Sequence, residues 1–160
     1  MDGPKKRTQL NKDDALTLMQ KYCAYQERSH SEVRTRLIEH SVYGDDLEEV
    51  ISQLIMDDFL NEERFARAYA RGKFRIKKWG RNKILKELKF RRVSDYSIRK
   101  AMTEIDEEEY YSTLHDLIRK KIATIKSKNQ WDKRKKLTSY ATQKGYEYGL
   151  IKEVLKELVE

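Results

Sequence analysis

The feature that most constrains the fold is a set of apolar positions that returns twice along the chain. Leu37, Val42, Leu47, Val50, Ile51 and Leu54 are followed 51 residues later by Leu88, Val93, Ile98, Ala101, Met102 and Ile105. A further 53 residues on stand Ala141, Tyr146, Ile151, Val154, Leu155 and Leu158. A period near 50 with helical spacing inside it means three copies of one helical unit, longer than tetratricopeptide or ankyrin units. In the first copy Ala15, Leu18, Met19 and Tyr22 fall at i, i+3, i+4 and i+7, which predicts a helix capped by Asn11, Asp13 or Asp14. Ser29 and Glu32 form a capping box opening a second helix, which uses Val33 and Leu37. Asp45 or Asp46 is expected to cap a third, with Leu47, Val50, Ile51, Leu54 and Ile55 as its stripe.

Three short helices bury their stripes poorly alone, so neighbouring units stack. The predicted fold is all-α, with three tandem three-helix repeats stacked into a curved, elongated array. The expected divisions are a flexible tail over 1–12 and repeats over 13–59, 60–105 and 106–160, with first helices starting near Asp13, Asn61 and Glu107. A chain of 160 residues buries about 70% of its unfolded surface, enough for a core. The single proline, Pro4, lies outside the periodic region. The acidic run 106–109 suits the positive end of a helix dipole. Gly145 falls where the middle helix of the third unit should stop, a position that often needs positive φ. A plain bundle with accidental self-similarity accounts less well for twelve apolar matches in twelve.

Charge is concentrated in residues 65–93, where twelve Lys or Arg face one carboxylate, Glu87; this local balance of +11 exceeds the +8 of the whole chain. On a helix expected from Asn61 to about Lys78, the apolar arc reads Phe65, Ala68, Tyr69, Gly72 and Ile76. Arg64, Arg67, Arg71, Arg75 and Lys78 fill the adjacent arc. After Gly80, Ile84, Leu85 and Leu88 face inward while Arg81, Lys83, Lys86 and Lys89 stay outside. With Lys73 and Lys77 these form a candidate basic face for a polyanion or an acidic partner. A second cluster, 119–121 and 133–136 around Trp131, adds Lys133, Arg134 and Lys136. Charge runs are usually solvated faces supported by intrahelical pairs; the shortage of carboxylates argues for an outside anion here. Trp79, Trp131 and the ten Tyr are candidates for stacking on unpaired bases. Tyr69, Tyr110, Tyr111 and Tyr140 read better as core or half-core.

Residues suited to catalysis are scattered. His30, His40 and His115 show no metal-ligand spacing, and Cys23 reads as a packed thiol. Gly72 and Gly80 flank basic residues without a phosphate-cradling motif, and Asp57 and Asp58 point about 100° apart on a helix. The expectation is no metal, no cofactor and no enzymatic activity. The lone cysteine fits a reducing compartment, and no run is apolar enough for a signal core or membrane span, so a cytoplasmic monomer is expected.

Leu60-Asn61-Glu62-Glu63-Arg64-Phe65-Ala66, then Tyr69, Arg71, Lys73, Gly80, Ile84, Glu87 and Leu88, resembles the central motif of the RecX family of recombinase regulators. Ala15-Leu16, Arg28-Ser29, Glu32-Val33 with Leu37, and Lys144-Gly145-Tyr146 resemble its flanking patterns. The likeness spans about residues 13–158 and is most specific at its centre. It departs at Arg81, where the family usually has proline, and at the His40-Ser41-Val42 and Arg91-Arg92-Val93 corners, where altered geometry is expected. The resemblance implies three three-helix repeats and binding to the RecA recombinase filament, usually in its helical groove. It also implies modulation, usually inhibition, of ATPase and strand exchange, and affinity for single-stranded and also double-stranded DNA. The competing reading is an autonomous helix-turn-helix protein binding DNA or RNA; three recurrences at this period count against it.

Overall fold

In the computed structural model, which describes residues 9–159, the described residues form nine α-helices and no strand. The first unit holds α1 (Lys12–Tyr25), α2 (His30–Glu39) and α3 (Gly44–Met56). The second holds α4 (Glu62–Arg75), α5 (Arg81–Phe90) and α6 (Asp95–Met102), and the third α7 (Glu107–Ile122), α8 (Gln130–Lys144) and α9 (Tyr148–Leu158). Most of the tail expected over 1–12, with Pro4, lies outside the described residues; Asn11 and Lys12 already belong to the start of α1.

Local chemistry starts the helices. Asn11, Ser29, Asn61, Ser94, Asp106 and Asn129 each accept a backbone N–H three residues on, and Ser29 with Glu32 completes the capping box. Neither Asp45 nor Asp46 caps α3. That helix begins at Gly44 after Tyr43, and the two carboxylates sit in its first turn, where they oppose the dipole instead.

Of the eighteen repeating positions, sixteen are buried, with Met102 and Leu158 partly so. Two stripe assignments change. Ile55 is 45% exposed, so the α3 stripe ends at Leu54. On α4 the buried line is Phe65, Ala66, Ala70 and Phe74; Ala68, Tyr69 and Gly72 lie at its margin, and Ile76 is 77% exposed just past the helix end at Arg75. The cause is α6, which packs on α4 through Ser97, Ile98 and Ala101. Ala66 and Ala70 lack the bulk to keep it away, so the small side of α4 turns inward.

The middle helix of every unit ends in the same left-handed corner. Ser41 (φ 60°), Arg92 (φ 58°) and Gly145 (φ 102°) are followed by Val42, Val93 and Tyr146, whose N–H groups return to the carbonyls of Leu37, Leu88 and Ala141 at 2.9, 3.1 and 3.1 Å. The altered geometry expected at the first two corners is therefore absent: non-glycine residues adopt the same turn, at a conformational cost.

Apolar burial falls into two clusters. One fills the first unit, from Ala15 to Leu60, and the other runs without a break through the second and third units. The second and third units meet backbone to backbone. Gly80 N–H donates to the Lys144 carbonyl at 2.8 Å, Asn82 N–H to that of Gly145 at 2.9 Å, and the Tyr146 hydroxyl to that of Lys78 at 2.9 Å. A Cβ on Gly80 would overlap the Gly145 carbonyl, and one on Gly145 would overlap Lys83.

The shared corner predicts opposite signs at equivalent positions. Ser41→Gly and Arg92→Gly should each raise stability by about 1 kcal/mol, roughly 2–4 °C in thermal midpoint. Gly145→Ala should lower it by about 2 kcal/mol or more, through strain and overlap together. Thermal unfolding followed by circular dichroism reads all three.

Candidate basic interface

The cations named from sequence divide into two sets. Arg64 bridges the first two units, with Nε 2.6 Å from Glu27 and Nη1 3.0 Å from Asp58. Arg67 and Arg71 converge on Glu104 at 2.9 and 3.2 Å, and Arg67 also meets Glu63 at 3.4 Å. Hydrogen bonds from Arg67 and then Arg71 hold the Glu104 carboxyl below its ordinary range, outweighing what desolvation it has. Arg81 joins the second unit to the third through Glu107 at 2.5 Å and Glu147 at 2.9 Å. Its guanidinium lies 4.0 Å from the centroid of the buried Tyr110 ring, whose hydroxyl donates to Glu147. Burial first, and the Glu147 carboxylate second, push the Tyr110 phenol upward. Arg91, which is not among the candidates, pairs with Glu32 and Glu87 at 3.3 and 3.0 Å. These arginines hold helices and units to one another.

The other set has no carboxylate partner among the described residues: Lys73, Arg75, Lys77, Lys78, Lys83, Lys86 and Lys89, with Arg92. They come from the end of α4, the linker after it, α5 and, for Arg92, the corner that follows α5. Trp79 stands among them, half-buried, edge-on to Tyr69 at 6.4 Å. The ammonium groups of Lys73 and Lys83 lie 4.9 and 4.5 Å from its ring centroid. Two shallow grooves adjoin this patch. One, of about 200 Å³, is lined by Ala68, Tyr69, Gly72, Lys73, Ile76 and Lys77. The other, of about 310 Å³, is lined by Asn82, Lys83, Lys86, Thr142 and Gln143 and by Glu87, whose carboxylate is paired with Arg91.

Around Trp131 the charge is less available. Lys136 pairs with Asp132 at 3.2 Å, Arg134 donates to the Val159 carbonyl at 2.5 Å, and Arg119 meets Asp116 at 3.1 Å. Lys133 has no carboxylate partner among the described residues. Trp131 itself is 70% exposed, with Lys135 over its ring at 5.1 Å.

Summed by unit, charge is sharply polarised. Residues 13–59 hold eleven Asp or Glu against four Lys or Arg, a balance of −7, while 60–105 hold five against fifteen, a balance of +10. Among the described residues no group of His, Cys, Asp and Glu is arranged to hold a metal ion, and no helix is long and apolar enough to cross a membrane. Burial pushes the Cys23 thiol up to about 11, which disfavours the reactive thiolate.

Fold and surface together define a class: an all-helical repeat protein that presents unpaired cations around an aromatic ring. Residues 61–102 match the second three-helix domain of RecX, and residues 107–155 match the third. The chain belongs to the RecX family. It is 26% identical over 152 residues to the regulatory protein RecX of Pelodictyon phaeoclathratiforme, covering 95% of this chain and 93% of that one. To the regulatory protein RecX of Clostridium acetobutylicum it is 32% identical over 136 residues, covering 82% and 62%. It spans about half the length of the Bacillus relatives, being 29% identical over 139 residues to the Bacillus cytotoxicus protein and covering 87% and 52%. The crystal structure of RecX from Lactobacillus salivarius shares the fold, with a TM-score of 0.79 at 22% identity over 92% of this chain and 96% of that one. A second regulatory protein RecX structure gives 0.83 at 19% identity, covering 91% and 73%.

Arg81, the departure from the family pattern, leaves the helix start intact: α5 opens at Arg81 after Gly80. Its N–H, which proline would lack, donates to the Tyr110 hydroxyl at 3.0 Å. Arg81→Pro should therefore destabilise by about 1–2 kcal/mol, roughly 2–8 °C, although proline is favoured at the first helical position. At the junction of the first two units, burial lowers the His30 pKa from its ordinary 6.5, against the attraction of Glu62. A group with a lowered folded pKa contributes stability above its unfolded pKa and loses it as pH falls. The thermal midpoint should drop between about pH 7 and 5, and drop less in His30→Gln.

Proposed function

We propose that this protein is a non-enzymatic regulator, acting as an inhibitor, of the RecA recombinase. It docks on the filament that RecA forms on single-stranded DNA and slows ATP hydrolysis, strand exchange and filament growth. The observation that carries this reading is the second unit's excess of +10, with the lysines around Trp79 left without internal carboxylates. A polyanionic assembly relieves their mutual repulsion, and a patch held on packed helices meets it without further ordering. Membership of the RecX family supports the recombinase as the partner. The sequence-based candidates are sorted accordingly. Lys73, Arg75, Lys77, Lys78, Lys83, Lys86 and Lys89 carry docking, Lys133 is a further cation on α8, and Arg64, Arg67, Arg71 and Arg81 hold the geometry, while Arg134 and Lys136 are engaged within the third unit.

The test is the ATPase of RecA on single-stranded DNA, with this protein added well below saturation of the DNA. Inhibition is expected, and Lys77→Glu with Lys78→Glu should raise the half-inhibiting concentration about tenfold, a change near 1.4 kcal/mol, while helicity stays unchanged. Unaltered ATPase together with tight binding to naked DNA would overturn the proposal in favour of an autonomous nucleic-acid-binding protein.

A further inference from the structure

We propose that Trp79 is the stacking platform of a single-stranded DNA subsite, with Lys73 and Lys83 as its phosphate contacts. This deepens the reading of the basic face given above but requires only DNA, so the two can fail separately. The backbone that carries the ring is held on both sides. The main-chain N–H of Trp79 donates to the Lys73 carbonyl at 3.1 Å, that of Lys78 to the Phe74 carbonyl at 3.1 Å, and that of Gly80 to the Lys144 carbonyl in the next unit. Lys78 adopts φ 60°, which turns the chain sharply out of α4 just before the ring. Part of the indole packs on the core shared by the second and third units, and the remainder faces solvent. An aromatic face fixed in this way stacks a base at little conformational cost.

The two lysines come from different helices, α4 and α5, and both ammonium groups rest on the indole for want of a carboxylate. Phosphates attract such groups more strongly than a ring does, so a strand draws them aside and exposes the platform. The adjoining grooves suit the neighbouring nucleotides. One has an apolar wall of Ala68 and Ile76, with open space above Gly72; the other offers Asn82, Thr142 and Gln143 for hydrogen bonds. An acidic protein would satisfy the lysines but would leave the ring unused. Duplex DNA keeps its bases stacked on one another, so the platform selects unpaired strands.

Trp131→Phe leaves Trp79 as the sole tryptophan of the two. Titration of this variant with a short oligodeoxythymidylate, without RecA, should quench its emission saturably. Trp79→Leu should weaken oligonucleotide binding, read by anisotropy of a labelled strand, about 5- to 150-fold, and Trp79→Phe should retain most of it. Lys73→Gln with Lys83→Gln should flatten the log–log salt slope by about 1.4, two phosphates at about 0.7 each. Emission that stays fixed while anisotropy saturates, or no oligonucleotide binding at all, overturns the proposal. Should Trp79→Leu fail to fold, the emission of Trp131→Phe still decides. No quench with retained inhibition of RecA removes the subsite alone; quench without inhibition removes the docking reading alone.

Discussion

The closest structural dependency is the backbone contact between Gly80 and Gly145. Two chain segments meet there with no side chain between them, and the amides of Gly80 and Asn82 find the carbonyls of Lys144 and Gly145 across the junction. Because the approach is that close, the apolar faces of the second and third units merge into one buried cluster. Trp79 sits one residue before the contact and α5 starts one residue after it, so the aromatic ring and the α5 lysines are placed by the same few atoms. Tyr110 and Tyr146 complete the junction: their rings lie 5.0 Å apart, and their hydroxyls reach Glu147 and the Lys78 carbonyl.

The first unit is attached differently. Its apolar cluster is separate, and its link to the second unit is largely polar, through Arg64 with Glu27 and Asp58 and through Arg91 with Glu32. Partly exposed ion pairs of this kind contribute little individually and are screened by salt. Their value here is directional: they spend the positive charge of the second unit against the acidic first unit and leave the surplus around Trp79. Arginine holds the joints, where its planar fork spans two carboxylates, as Arg81 does between Glu107 and Glu147. Lysine makes up most of the open patch, where its flexible stem follows a mobile anion.

Much of the architecture was legible because it rests on short-range rules. The 51- and 53-residue recurrence located the buried positions, and the Ser29–Glu32 spacing located a helix start. Gly145 marked a left-handed corner. At Ser41 and Arg92 the corners were placed but an altered geometry was expected, since neither residue advertises positive φ; both adopt the left-handed turn all the same. The inward line of α4 was misread because Ala66 and Ala70 weigh little in a hydrophobic pattern, although their smallness is what admits α6. The pairs Glu63–Arg67 and Glu87–Arg91 stand four residues apart and could be read from spacing. Arg81–Glu147, separated by 66 residues, could not.

Taken alone, the amino-acid order determined the number and kind of helices, their repetition, and the concentration of cations in the second unit. Those properties follow from periodicity and composition, which act over one or two helical turns. Tertiary structure alone decided which cations are satisfied within the molecule and which are left facing outward. A charge is neutralised by whatever lies within a few ångströms, and here Glu104 is brought there when α6 packs on α4, and Glu27, Glu107 and Glu147 only when neighbouring units close on one another.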